Sequence, residues 1–174
     1  SNKTTQAKKV FGYIPETAAV YEYLTAWEHM EFIARAYRLS DGWQEEAEHL
    51  LARFELSDKK DKLGKELSKG MQQKISICCA LLIKPRMVMF DEPMVGLDPK
   101  AIKELKNVFL DLKNAGSTVL ISTHILDSID EVWDRVLILN RGRVVLSRTR
   151  EEVESNGESL EKIFFETTEG VAGA

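Results

Sequence analysis

Apolar residues in this chain follow two different spacings, and the change from one to the other near Pro85 divides the sequence. Residues 10–14 form a short apolar run, stopped by Pro15, that predicts a strand. Thr25 and Glu28 make a capping-box pair, and Trp27, Met30, Ala34 and Tyr37 follow at helical spacing. Asp41 and Gln44 repeat that start signal ahead of a second stripe through Trp43, Ala47, Leu50, Leu51 and Phe54. Residues 58–66, mostly charged, predict a solvated loop. Ser68 then caps a third helix, whose inner face runs through Met71, Ile75, Cys78, Cys79 and Leu82.

Beyond Pro85 the pattern alternates: an apolar strand over 87–90, a helix over 99–115, a strand over 118–122, a short helix after His124 and a strand over 135–139. Alternation of this kind predicts an α/β fold with a parallel sheet and helices on its faces. Asn140-Arg141-Gly142 is a turn signal expected to fold 143–146 back as a hairpin. Residues 149–152 open a small C-terminal helix, and 167–174 are expected to fray. A sheet of three or four parallel strands has open edges, which implies further sequence upstream.

Composition changes this picture little. The 174 residues are 44% hydrophobic and 30% charged, as in a globular chain rather than a disordered one. A net charge of -4 gives no support to a basic surface covering the whole chain. No apolar run approaches the roughly 20 residues of a spanning helix, and no secretory signal opens the sequence. The two cysteines are neighbours, Cys78 and Cys79, which cannot staple distant segments and fit a reducing compartment.

Candidate chemistry collects at loop boundaries. The strand over 87–90, expected to be buried on both faces, delivers Asp91-Glu92-Pro93 to its carboxyl end, where ligands of open α/β sheets bind. One carboxylate can hold Mg²⁺ through water and the other can orient or deprotonate an attacking water; equally, the pair can simply end a strand. Ser68-Lys69-Gly70 sets a cap, a cation and a small residue at a helix start, suited to a phosphate or merely to capping. Asp98 before Pro99 reads as a helix cap. Ser122-Thr123-His124 places a histidine just past the next strand, expected on the same sheet edge as Asp91.

Taken in order and spacing, Leu67-Ser68-Lys69-Gly70-Met71, Asp91-Glu92-Pro93, Gly96-Leu97-Asp98-Pro99 and Ser122-Thr123-His124 resemble the signature motif, Walker B, D-loop and His switch of ATP-binding cassette (ABC) transporter nucleotide-binding subunits. Residues 11–16 resemble the strand leading into the Q-loop. The resemblance implies a P-loop NTPase (RecA-like) core with an α-helical signature subdomain. Residues 1–16 and 85–148 would belong to the core, 17–84 to the helical subdomain and 149–174 to a helical tail.

By position, it implies that Asp91 serves Mg²⁺, that Glu92 is the general base and that His124 contacts the γ-phosphate of ATP. Ser68, Lys69, Gly70 and Met71 would meet ATP held by a second cassette, and Asp98 would communicate across that dimer. Glu16 stands where the family usually has Gln and could join Asp91 on Mg²⁺, and Lys69-Gly70-Met71 replaces the usual Gly-Gly-Gln. Both substitutions lean toward exporter-type subunits.

The partners implied are transmembrane transporter subunits, met through residues 21–27, and a second cassette, with no nucleic acid. The location implied is cytoplasmic, on the inner face of the cell membrane. No G-x-x-x-x-G-K-[ST] occurs, and Gly64-Lys65 lacks its context, so the chain is expected to begin after the P-loop and to be inactive alone. The alternatives are an ABC-type switch in translation or DNA repair, marked by a flanking coiled coil or second cassette, and a pure interaction module, which the open sheet edges disfavour.

Overall fold

The computed structural model describes residues 10–169, which fall in two units that divide between Thr123 and His124.

In the first unit, β1 (Phe11–Ile14), β2 (Met87–Asp91) and β3 (Thr118–Ser122) form a parallel sheet in that order, with β2 central. Register aligns Ile14 with Phe90 and Asp91 with Ser122, so the carboxyl ends of the strands share one edge. Alternation decides which side chains are buried. Ile14, Val88 and Phe90 are fully enclosed, and Phe90 meets Phe109 edge-to-face at 4.8 Å. On the other face Tyr13, Met87 and Leu120 are exposed. The expectation of a β2 buried on both faces is therefore corrected: among the described residues, helices cover one face only.

Three helices, α1 (Ala26–Tyr37), α2 (Trp43–Arg53) and α3 (Lys69–Leu82), pack around Met30, Ala47, Leu51, Phe54, Ile75 and Cys78. Thr25 and Glu28 form the reciprocal capping box of α1. The second start differs from expectation. Gly42, not Asp41, is the cap of α2, with φ +97, a backbone conformation that an Asp side chain would strain, and no side-chain hydrogen bond supports it. Cys78 donates to Leu50 O, and burial raises both thiols, that of Cys79 to about 12, which leaves them as packing groups.

The charged stretch 58–66 is a solvated loop as expected, and it is more ordered than its charge suggests: it contains most of one 3-10 turn, Ser57–Lys59, and all of another, Gly64–Glu66, and is fastened to the start of α1. Ala26 N donates to Lys62 O, Trp27 N to Lys60 O and Gly64 N to Leu24 O at 2.8–3.0 Å. The side chains are solvated as their charge requires, but the backbone beneath them is paired, which side-chain patterning does not register. Helix α4 (Pro99–Asn114) follows β2 and packs on β3.

In the second unit, among the described residues, β4 (Arg135–Asn140) and β5 (Arg143–Thr149) form a two-stranded antiparallel sheet, where the alternation predicted a parallel strand at 135–139. Arg141 and Gly142 both have positive φ, as the tight turn demands. The expected helix after His124 is a 3-10 turn, Leu126–Ser128. Thr149 and Glu152 box the start of α5 (Arg150–Ser155). Helix α6 (Leu160–Glu169) runs through Thr167 and Thr168, where fraying was expected, because Leu160 and Ile163 are anchored with Ile138 and Val153 in a small core. Residues 170–174 lie outside the described residues. No described helix is long and apolar enough to cross a membrane.

Candidate functional site

The carboxyl edge of the parallel sheet gathers two carboxylates with hydroxyl partners. Asp91 ends β2 opposite Ser122, whose Oγ donates to Asp91 Oδ1 at 2.5 Å. From the other neighbouring strand, Tyr13 OH donates to Asp91 Oδ2 at 3.3 Å. Partial desolvation and the Asp91 charge raise the Tyr13 phenol above its ordinary value, so it stays a donor. Glu92 turns out of the strand with φ +45, while its N–H still donates to Ser122 O at 2.9 Å. Thr123 Oγ1 donates to Glu92 Oε2 at 3.0 Å. Sequence reasoning placed Asp91 and Glu92 but overlooked Tyr13, Ser122 and Thr123 as their partners. A hydroxyl pair aligned with a carboxylate pair on the next parallel strand was the available signal.

The second constellation lies at the start of α3. Ser68 takes extended backbone, and its Oγ accepts from Met71 N at 3.3 Å, the capping predicted. Lys69 is exposed and Met71 half-buried. Gly70 sits against the turn before α4: a Cβ there would lie 2.6 Å from Gly96 O, so any larger residue must displace backbone. One turn on, Lys74 is buried and its Nζ donates to Asp98 Oδ2 at 2.8 Å. Asp98 Oδ1 accepts from Ala101 N at 2.9 Å, capping α4 with Pro99 at its first position. The Lys74 hydrogen bond, then that from the Ala101 N–H, holds the Asp98 carboxyl below the usual carboxylate range. Asp98 thus ties α3 to the start of α4 within one chain.

Glu16 is exposed, two residues past the end of β1, on the same sheet edge as Asp91. His124 is exposed and opens the second unit, so its place rests on motif order. Apart from these groups, an apolar cavity of about 400 Å³ opens between β1, α1 and α3, lined by Tyr21, His29, Phe32 and Cys79 among others.

The donor set suits Mg²⁺ with phosphate. Among the described residues no group of three or more His, Cys, Asp or Glu side chains is placed to cage a metal. Mg²⁺ keeps several waters and takes one or two carboxylates plus substrate phosphates, which is what Asp91, with or without Glu16, provides. The first N–H groups of α3 and its positive dipole end suit an anion.

Comparison with known proteins places the chain in a family. A family model described as ABC transporter matches residues 1–95. An ABC transporter ATP-binding protein of Synechocystis is 36% identical over 91% of this chain and 46% of its own length. The lipopolysaccharide export system ATP-binding protein LptB of Haemophilus influenzae is 30% identical over 92% of this chain and 67% of its own length. A solved structure titled as the ATP binding subunit of an ABC transporter superposes with TM-score 0.90 at 36% identity, covering 96% of this chain and 72% of that one. The chain spans about half the length of the Synechocystis relative.

Proposed function

Because the chain belongs to the ABC transporter ATP-binding family, whose core is a P-loop NTPase fold, we propose that it supplies the Walker B, signature and D-loop parts of an ATPase that drives an exporter. The observation that carries the reading is the pair Asp91 and Glu92 at the end of the central strand, one fixed by a hydroxyl at the end of β3 and the other by that of the next residue, Thr123. ABC ATP-binding domains bind ATP, typically with Mg²⁺, and bound Mg²⁺ would stabilise charge on the phosphoryl oxygens.

Asp91 is the carboxylate that holds the ion, with Glu16 beside it on the same edge. Tyr13 and Ser122 donate to Asp91, so its carboxylate cannot swing away and keeps lone pairs for coordination. Glu92 accepts the proton of the attacking water, and Thr123 holds the carboxylate toward it. Ser68, Lys69, Gly70 and Met71 form the face offered to ATP on a second cassette. Asp98 couples that face to the D-loop, and His124 contacts the γ-phosphate by its motif position. Export is favoured by Glu16 and Lys69-Gly70-Met71, and by the likeness to the lipopolysaccharide export system protein LptB. The membrane partner would meet exposed Tyr21, Tyr23 and Phe32 around the apolar cavity, a placement on the inner membrane face.

The test is Glu92→Gln in the product of the complete reading frame. Turnover should fall about 100-fold or more, the usual worth of a general base, with ATP binding retained. Unchanged turnover refutes the assignment.

A further inference from the structure

Three consecutive residues of α3 each fasten a different loop. Gln72 Nε2 donates to Gly64 O at 2.9 Å, Gln73 Nε2 to Pro15 O at 3.1 Å and Lys74 Nζ to Asp98 Oδ2 at 2.8 Å. Successive helical residues point about 100° apart, so one turn can reach three directions.

Gln73 is the odd member. It is 3% exposed, and its Oε1 has no hydrogen-bond partner among the described residues. Pro15 O can only accept, so the amide NH₂ must face it and the oxygen is left inside. A methionine would fill the same space without an orphaned acceptor, so the fold gains nothing from this oxygen. What the amide supplies is one bond, and that bond falls on a particular peptide. The carbonyl of Pro15 and the N–H of Glu16 lie in a single rigid plane, so holding one sets the direction in which the chain leaves for the Glu16 side chain.

We propose that Gln73 is a positioning residue that ties Glu16 to the helix bearing Ser68 and Gly70. Through it, the carboxylate on the metal side is aimed from the same helix that presents the signature turn to ATP on a second cassette. The inference rests on the reading of Glu16 as a Mg²⁺-side carboxylate.

The test uses the full-length protein with Gln73→Met, Glu16→Ala and both together, and reads two quantities. The first is the backbone NMR signal of the Glu16 amide, whose N–H shares the Pro15 peptide plane. In Gln73→Met it should shift or broaden, while the amide signals of α3 stay in place. The second is the Mg²⁺ concentration giving half-maximal ATPase. It should rise in each single variant, and the double variant should match Glu16→Ala alone.

Gln73→Leu carries the same test if the Met variant does not fold. An unmoved Glu16 amide signal, or an additive double variant, overturns the role of Gln73. If Glu16→Ala leaves the Mg²⁺ midpoint in place, the reading of Glu16 fails first and the inference falls with it.

Discussion

Replacing Gly70 by Ala pits two effects of known sign against each other. Gly70 lies in the first turn of α3, where Ala is the better helix former by up to about 1 kcal/mol. Its Cβ, however, would come to 2.6 Å from Gly96 O, against ordinary contacts of 3.4 Å or more. The neighbour is a backbone carbonyl and cannot rotate away, so helix and D-loop must part by roughly 0.8 Å. Forcing atoms into a packed contact costs about 1–3 kcal/mol. Taking about 2 kcal/mol for the clash, the net is about 1 kcal/mol of destabilisation, which lowers Tm by about 2–4 °C in a chain of this size. Thermal unfolding followed by far-UV circular dichroism reads the sign directly. A rise in Tm would mean that the helix term acts alone, and would refute the close approach of signature turn and D-loop.

Two further outcomes follow from the same geometry. Thr123→Val removes the donor to Glu92 Oε2; a hydrogen bond to a charged group is worth about 1.5–3 kcal/mol, so kcat of the full-length protein should fall about 10-fold or more with KM little changed, and an unaltered kcat would show that Glu92 is held by other means. Asp98→Asn keeps a capping side chain but leaves buried Lys74 without its anionic partner. Because the folded Asp98 carboxyl is depressed, its contribution is present above the unfolded value near pH ~4 and is lost as pH falls through the lower folded value. Urea midpoints of wild type and variant should therefore differ steadily over pH 5–8 and converge in acid; a gap that persists there would assign it to something other than charge.

Where side-chain pattern and backbone requirement coincide, the sequence predicts the fold well. Thr25 with Glu28 and Thr149 with Glu152 are capping boxes in fact as in pattern, and Thr118–Ser122 is the strand the apolar run implied. Pattern fails where the backbone decides. Asp41 has the composition of a cap, yet the chain turns through a left-handed residue that glycine takes more readily, so Gly42 does the work. Residues 58–66 look solvated because their side chains are, while their amides and carbonyls pair with the start of α1. Partnerships at the site were hidden for a similar reason. Tyr13 and Asp91 are 78 positions apart and meet only through the parallel register of β1 with β2.

The geometry at Glu92 gives a separate reason to assign it a role beyond ending a strand. A non-glycine residue in left-handed backbone costs about 1–3 kcal/mol and persists only where its surroundings over-determine it. Here φ is +45, and the residue is held at both ends of its reach, the N–H by Ser122 O and the carboxylate by Thr123 Oγ1. Both holds come from the end of β3 and the residue just after it. A strand that merely stopped at Asp91-Glu92-Pro93 would not need the hold on the carboxylate, since solvent satisfies it. The strain becomes intelligible if the carboxylate must point at one place beside Asp91, as a group that takes a proton from a water aligned on a phosphate has to.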